Sequence, residues 1–209
     1  MQDGQLAPNG VSDPLLLSAM GDVPREAFVP AASRDRAYAD GAVPLGGGRV
    51  LLAPMVLARM LQMALPQPGE RALVLAAGPG YGTAILARMG LQVTGIESDP
   101  VLVELGRLAL RLALHANRPE LLLADPRLGA PAGAPYRLIL IEGGVETLPP
   151  CLFAQLGEGG RLLAIRLGAA GLGRVVLHRR AGGAISEMMG LDASAPVLPE
   201  FAAASGFIL

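Results

Sequence analysis

The chain of 209 residues contains no lysine and no tryptophan, and it has one cysteine, Cys151. Without lysine there is no phosphate loop of the G-x-x-x-x-G-K-[ST] kind. All 17 basic residues are arginine. Beside so much Ala, Gly and Pro, that bias reads as the mark of a GC-rich genome, not of phosphate recognition. A net charge of −1 gives no global pull toward nucleic acid or an anionic membrane. Aromatic residues make up 3% of the chain, too few for the stacking platforms that bind single-stranded nucleic acid. One cysteine excludes an intrachain disulfide and a cysteine-based metal site. Cys151 follows Pro149-Pro150, so it is expected near a helix start as a buried structural thiol, with no histidine nearby in sequence to activate it. No metal-ligand spacing occurs, and the two histidines, His115 and His178, read as structural residues in a helix tail and a late strand. No apolar run reaches the roughly 18 residues of a membrane span; even the Leu-rich stretch 100–115 carries Glu104, Arg107 and Arg111. The opening MQDGQLAPNGVSD lacks a charged-then-apolar leader pattern, which makes the cytoplasm the expected compartment.

What is present is a large supply of apolar residues, 52% against 17% charged, enough for one well-buried domain over 1–209. Residues 1–13 read as a polar arm. Ser12-Asp13-Pro14 is suited to cap a short helix running through Met20. A short helix is expected around 34–38, and Leu45-Gly46-Gly47-Gly48 reads as a flexible crossing. The spacing of Met55, Leu57, Leu61 and Leu65 predicts a helix over 55–65. Together 1–65 form a helical cap on a core of 66–209. From Arg71 onward strand and helix alternate. Strands are predicted at 71–76, 92–97, 120–124, 137–142, 160–166, 173–179 and near 184–191, with helices at 82–89, 99–115 and 149–156. Doubly apolar strands such as Leu138-Ile139-Leu140-Ile141 predict a mostly parallel sheet covered by helices on both faces, the doubly wound, Rossmann-like α/β class. The closely spaced last three strands predict an antiparallel edge.

In that class ligands sit at the carboxyl ends of the strands, so the residues there carry the functional signal. Strand one ends in Ala76-Ala77-Gly78-Pro79-Gly80-Tyr81-Gly82, a small-residue turn that lets a ligand near the backbone at a helix start. Strand two ends in Glu97, about 20 residues on, where a carboxylate can accept from both hydroxyls of a ribose. Strand three ends in Asp125, placed to accept from an adenine amino group. Strand four ends in Glu142-Gly143-Gly144, glycines suited to close approach of a ligand or substrate. A plainer role also fits two of these acids, because Glu97 before Ser98-Asp99-Pro100 and Asp125 before Pro126 could cap helices. From Gly78 the turn reads G-P-G-Y-G-T, with its third glycine one place early for a dinucleotide. A single nucleoside cofactor fits better, and S-adenosylmethionine is the candidate.

Several segments together resemble the protein-L-isoaspartate O-methyltransferase family over about residues 14–167. They are Met20-Gly21-Asp22-Val23-Pro24-Arg25-Glu26-Ala27-Phe28-Val29-Pro30, then Ala37-Tyr38-Ala39-Asp40, Pro44-Leu45-Gly46, Gly78-Pro79-Gly80-Tyr81-Gly82-Thr83-Ala84, Ala134-Pro135-Tyr136 and Gly159-Gly160-Arg161-Leu162. The resemblance implies a seven-stranded class I methyltransferase fold and S-adenosylmethionine as cofactor. It implies methylation of the isoaspartyl carboxylate in damaged proteins or peptides, hence protein repair. It places the cofactor contacts at Ala76, Gly78, Gly80, Glu97 and Asp125. The chain departs from the family pattern at five positions. Leu52 stands at the place of a serine that faces the acceptor, and Val50 at that of a threonine. Val74 and Ala76 replace an acid and a glycine. Glu142 stands where the family has a neutral residue; it would repel an anionic acceptor unless protonated or paired, and it is the candidate base or orienter for another acceptor. These departures frame an alternative, a catalytically impaired member acting as a binding protein.

Overall fold

The computed structural model describes residues 1–114, 118–168 and 172–203. His115 lies outside them. The chain opens with helical turns at Gln2–Leu6 and Ala7–Asn9, and these are not a loose arm. Leu6 and Val11 are buried in the core, and the Gln62 side chain accepts from the Ser12 amide at 2.7 Å and donates to the Gly10 carbonyl at 2.8 Å. Helix α1 (Pro14–Asp22) starts as predicted: the Asp13 carboxylate accepts from the amides of Leu15 and Leu16, satisfying donors a helix start leaves free. Tight 3₁₀ turns follow at Arg25–Phe28 and Ala31–Arg36, the second in place of the short helix expected around 34–38.

The expected flexible crossing is a β-hairpin. Strands β1 (Val43–Gly46) and β2 (Arg49–Leu51) pair antiparallel, and Gly46, Gly47 and Gly48 between and beside them all take positive φ. That backbone conformation is open to glycine at little cost, which is why three glycines read as floppy in sequence yet make a defined turn. Helix α2 (Pro54–Ala64) ends at Leu65, whose left-handed backbone turns its amide onto the carbonyls of Leu61 and Gln62.

The core sheet has seven strands: β3 (Arg71–Leu75), β4 (Gln92–Glu97), β5 (Glu120–Leu123), β6 (Tyr136–Val145), β7 (Leu156–Leu167), β8 (Gly173–Ala181) and β9 (Ala184–Asp192). Their spatial order is β5-β4-β3-β6-β7-β8-β9. The first five strands run parallel, and β8 and β9 are antiparallel additions at one edge, as predicted. Helices α3 (Tyr81–Arg88), α4 (Pro100–Ala113) and α5 (Pro150–Ala154) make the crossovers. Alternate residues feed two cores: Val74, Leu138 and Leu140 pack with the N-terminal cap and α2 to α4. Leu73, Leu75, Ile139 and Ile141 pack on the other face with Leu152, Leu198 and Phe201. Both faces are covered, which is what uninterrupted apolar strands require.

Two features of the sheet position the site. From β3 the chain steps to β4 on one side and later to β6 on the other, so a crevice forms where the order reverses, at the carboxyl ends of β3 and β6. Strand β6 also runs past the predicted end at 142. Its register against β7 slips between Leu140 and Gly144, which face Leu163 and Ile165, so the Glu142 region bulges out of the regular ladder.

Candidate nucleoside site

The small-residue turn leaves β3 at Ala76, which is buried and sits at φ 50°. Only glycine takes that conformation without strain, and an L-residue there costs about 1–2 kcal/mol. Gly78 (φ 54°) and Gly80 (φ 88°) follow in the same region, and Gly80 leads directly into α3. The Ala77 amide bonds the Ile96 carbonyl at 3.0 Å, which fastens the turn to the end of β4. Helix α4 presses on it from outside, because a Cβ on Gly106 would fall 2.5 Å from the Pro79 carbonyl oxygen. The hairpin covers it as well: a Cβ on Gly78 would lie 3.2 Å from the Leu45 side chain.

Glu97 ends β4 beside this turn and is fully buried. Its Oε2 accepts from the Gly78 amide at 2.8 Å, and its Oε1 accepts from the amides of Ser98 at 2.7 Å and Asp99 at 2.9 Å. Arg49, at the start of β2, donates to the same carboxylate from Nη2 at 3.0 Å and from Nε at 3.1 and 3.2 Å. Glu200 then clasps Arg49 from the far side, with Oε1 2.7 Å from Nη2 and Oε2 3.1 Å from Nη1. Ser98 Oγ bridges the group, accepting from Arg49 at 3.0 Å and donating to Glu200 at 2.5 Å. Burial by itself lowers the Arg49 pKa, but its bonds to Glu200 and Glu97 outweigh that and raise it. Burial raises that of Glu200, and its bonds to Arg49 and Ser98 more than reverse the shift.

Glu200 comes from a C-terminal turn, Pro199–Phe201, docked on the extension of β6. The Gly144 amide and carbonyl bond Pro196 and Leu198, and the Phe201 carbonyl accepts from the amides of Glu146 and Thr147. A Cβ on Gly143 would meet Leu198 at 2.6 Å, and one on Gly144 would meet the Pro196 carbonyl at 2.8 Å. In sequence this glycine pair suggests room for a ligand; in the structure it admits the chain's own C-terminal segment.

Asp125 caps the turn Pro126–Leu128 through the Arg127 amide and pairs with the Arg127 guanidinium at 2.6 Å, a bond that lowers its pKa. The plainer role foreseen for it is therefore filled, and the carboxylate stays partly exposed. Glu142 is buried against the start of α3, where a Cβ on Gly82 would fall 1.9 Å from its Oε1. Burial pushes its pKa up to about 8, with Arg25 opposing and Glu97 adding to the shift. That Oε1 has no hydrogen-bond partner, nor do Arg25 Nη1, Tyr81 Oη and Thr83 Oγ1, all buried. The other nitrogens of Arg25 are engaged: Nε and Nη2 donate to the carbonyls of Ala37 and Leu52 at 2.6 Å each, and the guanidinium lies 4.9 Å over the Tyr81 ring. Leu52 is buried in the apolar core and contributes its backbone carbonyl to this arrangement.

Two residues outside the site differ in outcome. Cys151 does sit in the first turn of α5, but it is exposed, with Sγ 3.2 Å from the Arg127 carbonyl, which corrects the buried-thiol expectation. His178 is buried edge-on to Phe153 at 5.0 Å, in keeping with a structural role, and burial lowers its pKa. Sequence reasoning missed Arg49, Glu200 and the engagement of Arg25. The one available signal was a lone arginine, Arg49, heading an otherwise apolar run after three glycines.

A Rossmann-like sheet of this order, with a small-residue turn after β3 and an acid closing β4, defines a class I methyltransferase fold. The family model described as protein-L-isoaspartate(D-aspartate) O-methyltransferase matches residues 4–186, and the chain belongs to that family. A protein-L-isoaspartate O-methyltransferase of Methylorubrum populi is 41% identical over 163 residues, covering 78% of this chain and 76% of the relative. A solved protein-L-isoaspartate O-methyltransferase superposes with a TM-score of 0.83 at 22% identity, over 95% of this chain and 66% of that one. A Plasmodium falciparum protein assigned to the same activity, solved with S-adenosyl-L-homocysteine, gives a TM-score of 0.80 at 19% identity over 93% and 94%.

Proposed function

We propose that the chain is an S-adenosylmethionine-dependent O-methyltransferase that esterifies the isoaspartyl carboxylate of damaged proteins or peptides. The observation that carries this reading is the cradle at the crevice, in a chain of this family: the turn through Gly78 and Gly80 joined to Glu97 by the Gly78 amide. The residues fit a nucleoside cofactor. Ala76, Gly78 and Gly80 would line its approach, and Glu97 would accept from its ribose, a role Asp125 supplements toward the base. When bound, the cofactor supplies a sulfonium methyl group open to attack by a carboxylate oxygen.

An acceptor that is already an anion needs no base, and methyl transfer asks chiefly for in-line positioning. Glu142 suits that demand. With a pKa near 8 it holds its proton at neutral pH, so it adds no negative charge to the acceptor side. The Leu52 side chain donates nothing to an acceptor, which leaves recognition of its carboxylate to other groups. Protein repair follows from the reaction, with damaged proteins as partners and neither nucleic acid nor membrane required. No helix among the described residues is long and apolar enough to cross a membrane.

The alternative, a member that binds without catalysis, has no support in the relatives compared. One assay separates the two: labelled methyl transfer to an isoaspartyl peptide and to its ordinary aspartyl counterpart. Transfer to the first alone is expected. A chain that binds S-adenosylhomocysteine yet labels neither peptide would reverse the choice.

A further inference from the structure

The Glu97 carboxylate has no acceptor position left. An ionised carboxylate offers about four lone-pair sites to donors. The amides of Gly78, Ser98 and Asp99 take three, and the Arg49 guanidinium spreads Nε and Nη2 across both oxygens. A ribose diol approaching Glu97 would find the guanidinium in its place. Resting on the cofactor reading above, we infer that Arg49 is an internal occupant of the ribose subsite, held there by Glu200, and that cofactor affinity is set by the exchange of the guanidinium for the diol.

Three independent features make this more than a chance contact. The first is the completeness of the clasp. Arg49 is 4% exposed and meets Glu97 on one side and Glu200 on the other, with Ser98 closing the ring. Paired, planar donors of this kind are the strong form of arginine–carboxylate contact.

The second is the anchoring of Glu200. Leu198 and Phe201 on either side of it are buried, and backbone bonds tie the segment to Gly144, Glu146 and Thr147. The carboxylate is thus delivered by a docked segment, not by a mobile side chain on a free loop. The third is the hinge. Arg49 follows Gly46, Gly47 and Gly48, all at positive φ, where glycine can change dihedrals at little cost. Leu45, on the other arm of the same hairpin, lies over Gly78, so the hairpin that moves Arg49 also uncovers the turn. Both parts of the cradle are shut by one element and would open with it.

The exchange moves no proton and breaks no covalent bond. Arg49 leaves Glu97 while keeping Glu200, and the two ribose hydroxyls donate in its stead. A residue that competes for a subsite weakens binding by the fraction of time the subsite is closed, so its removal should tighten binding. Ordinary cofactor contacts behave in the opposite way.

The test is titration calorimetry of S-adenosylhomocysteine into the full chain and into Arg49→Gln, Glu200→Gln and the double variant. Arg49→Gln should bind at least about tenfold tighter. Glu200→Gln frees one side of the clasp and should fall between Arg49→Gln and the parent. If Arg49→Gln does not fold, because Glu97 and Glu200 then face each other without a cation, Glu200→Gln decides. Binding in the parent with equal or weaker binding in the variants overturns the competition and makes Arg49 a supporting contact, leaving the cofactor reading intact. No binding by any of the four at millimolar ligand overturns the cofactor reading and the competition with it.

Discussion

Glu97 and Glu142 are two buried glutamates on the strands that flank β3, the first at the end of β4 and the second in the irregular stretch of β6, and their surroundings are opposite. Glu97 is met by three backbone amides and a guanidinium in direct contact. Glu142 has an oxygen with no hydrogen-bond partner, and the cation nearest in influence, Arg25, turns Nε and Nη2 to two backbone carbonyls and leaves Nη1 without a partner. Burying a carboxylate is costly in both places; what differs is how many donors the fold supplies. Where they are many, the group is an acceptor on which a diol or an arginine can settle. Where only the Gly82 amide is offered and one oxygen is left bare, the group retains its proton and turns into a neutral filler. One side of the crevice is therefore built around a charge, and the other around its suppression.

The largest expected effect breaks the charged side. Glu97→Ala strips the acceptor from Arg49 and from three amides, and losing one member of a buried pair costs about 3–5 kcal/mol. Urea unfolding measures it. A loss under about 1 kcal/mol would mean that Glu200 alone satisfies Arg49 and that the two glutamates are less different than their contacts suggest.

The next sharpens the neutral side through pH. The folded Glu142 carboxyl keeps its proton up to about pH 8, while the unfolded chain releases it in the usual carboxylate range. The folded state therefore binds more protons between those limits, and stability falls as pH rises through that window. Glu142→Gln removes this slope. Its stability relative to the parent should grow by on the order of a few kcal/mol from pH 4 to pH 8, read from unfolding curves at both. A difference that stays flat with pH would show that Glu142 is charged and paired after all.

The smallest effect lies between the two acids. Ala76→Gly relieves a left-handed alanine but adds freedom to the unfolded chain, so a net gain of about 1 kcal/mol or less is expected. A loss of stability would show that the Ala76 methyl group, buried where it is, contributes more through packing than its backbone strain costs.

Much of this was legible in the residues. The alternation of apolar strands and helices fixed on a doubly wound sheet, and the small-residue turn, Glu97, Asp125 and Glu142 do lie at its carboxyl ends. Asp13 before Pro14 marked its helix because capping is a local matter of a few bonds. The clasp was out of reach for the opposite reason: Arg49 and Glu200 stand 151 residues apart, and nothing in either neighbourhood announces the other. The hairpin was hidden because glycines signal freedom in sequence even where they build a regular turn. Gly143 and Gly144 do mark a close approach, but it is that of the C-terminal segment and not of a ligand. Partners of a titrating side chain are tertiary, so the contrast between the two glutamates could be drawn only with the fold in hand.

The contact between Gly82 and Glu142 also bears on how the two positions can vary. A side chain at 82 and Glu142 in its present place exclude each other, since a Cβ would stand 1.9 Å from the carboxyl oxygen and 2.9 Å from its carbon. A side chain at 82 is admitted only if the end of the Glu142 side chain turns aside, and Glu142 keeps this pose only while 82 carries no Cβ. Two positions that look independent along the chain are thus coupled, and the effect of a substitution at one depends on what stands at the other.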